Sequence, residues 1–149
     1  MADGFDLAIR LGRLDDSGLL RRQLERIDMW LVASPDYLER AGTPRTVAEL
    51  ANHRGILTRT DLDHWIVDNQ SIRVRWHICK GNMLVTYDAV CAGLGIALVP
   101  GFLADAVIAA GSLVRVLPES RMDQLEVTAL QARSVAPSIA VKALLKHLA

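Results

Sequence analysis

Cysteine is scarce. Cys79 and Cys91 are the only two in 149 residues, too few for a disulfide scaffold in a chain of this length. An excess charge of one sign is also missing, since seventeen Lys+Arg stand against seventeen Asp+Glu. With a pI near 6.9, that balance excludes a protein held to nucleic acid by bulk positive charge. A signal peptide is lacking, because Asp3, Asp6 and Arg10 interrupt every short apolar stretch at the start. No apolar run is long enough to span a membrane. The nearest, residues 89–111, is broken by Gly93, Gly95, Pro100, Gly101 and Asp105. Repeats, low-complexity segments, Gly-x-Ser-x-Gly, phosphate loops and dinucleotide fingerprints are likewise absent. Gly93-Leu94-Gly95 follows a helical pattern and precedes a strand, the reverse of a dinucleotide loop.

What is present is apolar. Hydrophobic residues make up 51% of the chain and the mean hydropathy is +0.22, which excludes disorder and supports one domain or a small two-lobed unit. Phe5, Leu7, Ile9 and Leu11 recur at period two, so a first strand is expected, closed by Gly12. Leu20, Leu24, Ile27 and Leu31 recur at helical spacing, while residues 27–33 read equally well as a buried strand. Ser34-Pro35 predicts a capped helix closed by Gly42, and Thr46 with Glu49 predicts a capping box and a second short helix toward Asn52. Residues 55–58 read as a strand, residues 59–71 as mostly polar loop, and residues 71–79 as one alternating strand. Asn82 caps a helix expected to carry Leu84, Tyr87, Asp88 and Cys91 on one face. A strand over residues 96–99, a helix over 102–110, strands over 113–117 and 125–130, and a last helix from Pro137 complete the pattern. Strands and helices alternate over short connections, the pattern of an α/β sheet.

Enzyme chemistry has little footing. His77 and Cys79 share one face, but no second pair stands at ligand spacing, and structural zinc wants four ligands. No spacing places an oriented base beside a cysteine. Asp61, Asp63, Asp68 and Asp88 read as turn formers and caps rather than acid/base groups. Groups suited to a small anion are better placed. Asn82 opens a helix, Arg10 stands one residue from the end of the first strand, and Thr58-Arg59-Thr60 follows another, the strand ends where open α/β sheets collect ligands.

The order of these motifs resembles the effector-binding domain of LysR-type transcriptional regulators. The resemblance is carried by Asp6-Leu7-Ala8-Ile9-Arg10 with Gly12, by Ala33-Ser34-Pro35-Asp36-Tyr37-Leu38 with Gly42-Thr43-Pro44, and by Leu50-Ala51-Asn52-His53. Asn82, then residues 92–100 and 111–118, continue it in order. It implies a periplasmic-binding-protein-like type II α/β fold, non-enzymatic and without cofactor or metal. Two lobes joined by crossover strands would hold a small-molecule effector, an organic acid or aromatic, between them. Within that resemblance residues 19–24 become a crossover segment and residues 29–33 the first strand of the second lobe. The family's helix-turn-helix and the opening of its first lobe have no counterpart in these residues. The expectation is therefore a nearly complete second lobe over residues 29–117 and a partial first lobe from residues 1–28 and 118–149. Arg10, Thr58, Arg59, Thr60 and Asn82 fall nearest the family's pocket positions. A homodimer, a cytoplasmic setting with no membrane contact, and DNA binding only through the missing helix-turn-helix are expected. The alternatives are a free-standing solute-binding protein and an interaction fragment that pairs with full-length regulator subunits.

Overall fold

A computed structural model of the chain describes residues 6–12, 18–57, 63–76, 82–131 and 138–148. In chain order the described elements are β1 (Ala8–Leu11), β2 (Leu20–Ile27), β3 (Met29–Ala33), α1 (Pro35–Ala41), a 3-10 helix (Ala48–Asn52), β4 (Arg54–Ile56), β5 (His64–Val67) and β6 (Gln70–Arg73). After these come β7 (Arg75–Trp76), α2 (Met83–Cys91), β8 (Ile96–Pro100), α3 (Gly101–Ala109), β9 (Val114–Arg115), β10 (Leu125–Gln131) and α4 (Ile139–His147). The chain divides into two compact units, one formed by Met1–Ile27 with Gln124–Ala149 and the other by Asp28–Asp123.

The first unit is built on an antiparallel sheet in the order β1-β10-β2. A bulge interrupts the β10–β2 register between Val127 and Thr128, leaving Leu24 unpaired between Gln23 and Glu25. Ile9 and Leu11 lie opposite Ala129 and Val127, and Leu20 lies opposite Gln131, so alternation puts all three on one face. Ile9, Leu11 and Leu20 stand exposed there, whereas Ala129 between them is buried.

The second unit carries a five-stranded mixed sheet in the order β7-β4-β8-β3-β9, with β7, β4 and β8 mutually parallel. Its strands are short apolar runs because both faces are covered. Leu31 and Ala33 of β3 and Ile96 of β8 pack on one face with Tyr37, Leu50, Trp65 and Val67. The alternate residues Val32, Ala97 and Val99 pack on the other with Ala89 and Val90 of α2 and Ala104 of α3.

Several expectations are corrected. The helical period over residues 20–31 is two strands, β2 and β3. Residues 59–71 hold half of a hairpin, β5–β6, turned by Asp68 (φ 49°) and Asn69 (φ 61°), the left-handed pair that a two-residue type I′ turn requires. The single strand over 71–79 is divided: β6 pairs with β5, whereas β7 joins the main sheet beside β4. The segment toward Asn52 is a 3-10 helix, and the Thr46 hydroxyl donates to Glu49 at 3.1 Å instead of capping it. The last two strands also differ in length, β9 being two residues and β10 seven. Residues 118–123 pack with the second unit, where the Arg121 amide donates to the Asp68 carboxylate at 2.8 Å and Met122 bridges Val67. The buried face of α2 is Thr86, Ala89 and Val90, with Leu84 and Cys91 exposed.

Candidate functional site

Parallel pairing gives the second unit's sheet two distinct edges. Because β4, β7 and β8 run in one direction, Leu57, Trp76 and Pro100 mark their carboxyl ends along one edge. Met29, paired with Pro100, begins β3 there, and the Gly101 amide donates to the Asp28 carbonyl at 2.8 Å. Carboxyl ends of strands are where open α/β sheets bind ligands. The helices α2 and α3 both start from this edge, and their first turns expose Leu84 (66%) and Phe102 (63%). Motif reading missed this apolar fringe, because Leu84 was grouped with Tyr87 on one helix face and Phe102 was read only as the start of a helix.

Of the five residues expected to bind an effector, Thr58, Arg59 and Thr60 lie outside the described residues. His77 and Cys79 also lie outside. Asn82 precedes α2 by one residue, and its Oδ1 accepts from the Leu84 and Val85 amides at 3.1 and 3.2 Å. It is a working N-cap, so two of the donors imagined for an anion are already engaged. Asn82→Ala removes that acceptor and should lower stability by about 1 kcal/mol, measured by urea unfolding. Arg10 belongs to the first unit, exposed on β1 opposite Thr128.

The opposite edge of the same sheet holds a second cluster that spacing alone could not have assembled. Ser34, at the end of β3, accepts from the Tyr37 amide at 3.2 Å and so starts α1. The Arg54 amide donates to the Tyr37 hydroxyl at 3.0 Å, and the hydroxyl in turn lies 3.2 Å from His53 Nδ1. The hydroxyl and Nδ1 share a hydrogen bond whose direction follows the ring's tautomer. Burial pushes the His53 ring below its ordinary value, and the Glu49 carboxylate opposes this only in part. The sign follows: above about 6.5 the ring is neutral in folded and unfolded chains alike, and below it the unfolded chain takes up the proton first. Stability should therefore fall as pH drops from about 6.5 through the folded value. Unfolding titrations of His53→Gln should be flatter in that window than those of the parent.

Beside this cluster is an open cavity of about 290 Å³ lined by Tyr37, Arg40, Ala41, Asn52, Arg54 and Gly93. Arg40 Nη2 donates to the Gly93 carbonyl at 2.9 Å. No group of three or more His, Cys, Asp or Glu among the described residues could hold a metal ion. The Cys91 thiol is pushed up, first by burial and then by the Asp88 carboxylate, the opposite of what a nucleophile needs. No helix among the described residues is long and apolar enough to cross a membrane.

Comparison with known proteins gives one consistent result. The family profile described as "LysR substrate binding domain" matches residues 1–149. The HTH-type transcriptional regulator CrgA of Neisseria meningitidis serogroup C is 36% identical over 124 residues, covering 80% of this chain and 42% of that protein. The HTH-type transcriptional activator AaeR of Escherichia coli is 33% identical over 138 residues, covering 87% and 44%. The chain thus spans about half the length of the curated relatives it matches. Among solved structures, the CrgA regulatory domain from Neisseria meningitidis superimposes with a TM-score of 0.78 at 31% identity, over 96% of this chain and 73% of that one. The effector domain of AmpR from Pseudomonas aeruginosa shares the fold, with a TM-score of 0.74 at 21% identity over 99% of this chain and 72% of that one.

Proposed function

The chain belongs to the LysR substrate-binding-domain family, and from that membership we propose that it senses a small-molecule effector and passes the binding event on to transcription. Its fold is the periplasmic-binding-protein-like type II α/β fold of LysR regulatory domains. The match of the family profile along the whole chain is the observation that carries this reading. The proposed effector is a small organic or aromatic acid. The exposed Leu84 and Phe102, set at the strand-end edge beside the Asn82 cap, suit a ligand that is apolar with one polar group. The proposed contacts in the second unit are Thr58, Arg59, Thr60 and Asn82. Binding would bias the packing of the sensing domain and so the geometry of the oligomer on DNA.

Capping and binding by Asn82 can be separated. Asn82→Asp keeps a capping oxygen, so stability should hold within about 0.5 kcal/mol. The added carboxylate repels an acidic effector and should weaken its binding about tenfold or more. Calorimetry against the acid that binds the parent would check this, and unchanged affinity in Asn82→Asp would remove Asn82 from the site.

The exposed apolar residues of the first unit favour a two-fold homodimer. Ile9 is 49% exposed, Leu11 61% and Leu20 48%, and β1 and β2 are both edge strands. Apolar edges of this kind drive association. Sedimentation at micromolar concentration should give a dimer for the parent and a monomer for Leu11→Lys. A monomeric parent would reject the dimer while leaving the effector reading intact.

A further inference from the structure

We propose that the cavity lined by Tyr37, Arg40, Asn52, Arg54 and Gly93 is a second binding site, for a small oxyanion presented as a phosphate or carboxylate group. It lies on the edge of the second unit's sheet where β4 and β8 begin, opposite the edge that carries Asn82. Arg40 and Arg54 line it, and among the described residues no carboxylate pairs with either. Arg40 and Arg54 are the charged residues of its lining, so the cavity's fixed charge is that of the two arginines. Arg40 is held in place by its 2.9 Å bond to the Gly93 carbonyl, which leaves further N–H groups of its planar fork for an acceptor. A preoriented guanidinium matches the paired oxygens of phosphate or carboxylate.

The wall at Gly93 keeps the space open. Gly93 has φ +72° after α2, and a side chain there would come within 3.1 Å of Ser34 Oγ and 3.5 Å of Arg40 Nη2. A volume of about 290 Å³ accommodates inorganic phosphate or a short dicarboxylate. The site is independent of the effector contacts proposed above, since it shares no residue with them.

The test is nitrogen-edited NMR of the full chain titrated with inorganic phosphate, with succinate, and with sodium chloride at matched ionic strength. Saturable shifts at the Arg40 and Arg54 side-chain N–H groups and at the Gly93 amide are expected with phosphate, succinate or both. The two titrations show which oxyanion the cavity prefers. Arg54→Gln should raise the dissociation constant about tenfold or more. It leaves the Arg54 backbone amide on Tyr37 untouched, so the fold's hydrogen bonds persist. Arg40→Gln is the second variant, with the same loss expected. Shifts that follow chloride equally, or that survive Arg54→Gln unchanged, would overturn the proposal.

Discussion

Replacing Leu31 by alanine should lower the unfolding free energy of the second unit by about 3–4 kcal/mol. Leu31 sits in β3, which pairs with β8 on one side and β9 on the other, and its side chain is 1% exposed. Truncation removes buried methyl groups from the cluster with Leu50, Trp65, Val67 and Ile96, and paired strands on both sides restrict collapse into the gap. Urea unfolding followed by tryptophan fluorescence measures it, because Trp30 and Trp65 belong to this unit. A loss below about 1 kcal/mol would mean that the sheet does not pack as described.

Gly95→Ala should cost a comparable amount, about 3 kcal/mol, for a different reason. A Cβ at Gly95 would stand 2.5 Å from the backbone carbonyl of Arg54, and no rotamer moves a carbonyl that belongs to the neighbouring strand. Relief requires β4 and β8 to separate at the Gly55–Ile96 pair. Gly111 supplies the control. Its φ of +77° closes α3, where the Ser112 amide donates to the Val107 carbonyl at 3.0 Å, and nothing lies within 4 Å of a Cβ there, so Gly111→Asn should cost no more than about 1 kcal/mol. Thermal unfolding of both variants should show the large shift only for Gly95→Ala.

The parts of the fold that were legible in the sequence are those governed by local chemistry. Ser34-Pro35 and Asn82 cap α1 and α2, and Gly42 and Gly111 lie just past α1 and α3 with positive φ, because each is a short-range backbone requirement. The β2 segment was illegible by period for an identifiable reason. Leu20 and Ile27 are seven residues apart and would face opposite ways in a regular strand. The bulge at Leu24 restores them to one face, and the resulting four-then-three spacing imitates a helix. Resemblance to a family, not periodicity, set the helical reading aside, and residues 29–33 are the strand it implied. The β5–β6 hairpin carried a readable signal in Asp68-Asn69 between apolar runs. On α2 a buried Thr86 and an exposed Leu84 reverse the usual preference, so a hydrophobic face could not find the core. The Tyr37, Arg40, Arg54 and Gly93 cluster was invisible for a different reason: its members meet only because parallel pairing brings the starts of β4 and β8 together near the end of β3.

The central claim is that the strand-end edge at Leu57, Asn82 and Gly101 receives a small organic effector. Nitrogen-edited NMR of the chain titrated with a panel of aromatic and short-chain organic acids tests it most directly, because weak binding still moves resonances. At least one acid should give saturable shifts at the amides of Leu57, Asn82, Leu84 and Gly101, and Asn82→Asp should weaken them about tenfold or more. A panel in which no acid moves that edge, or in which the shifts persist unchanged in Asn82→Asp, would contradict the account.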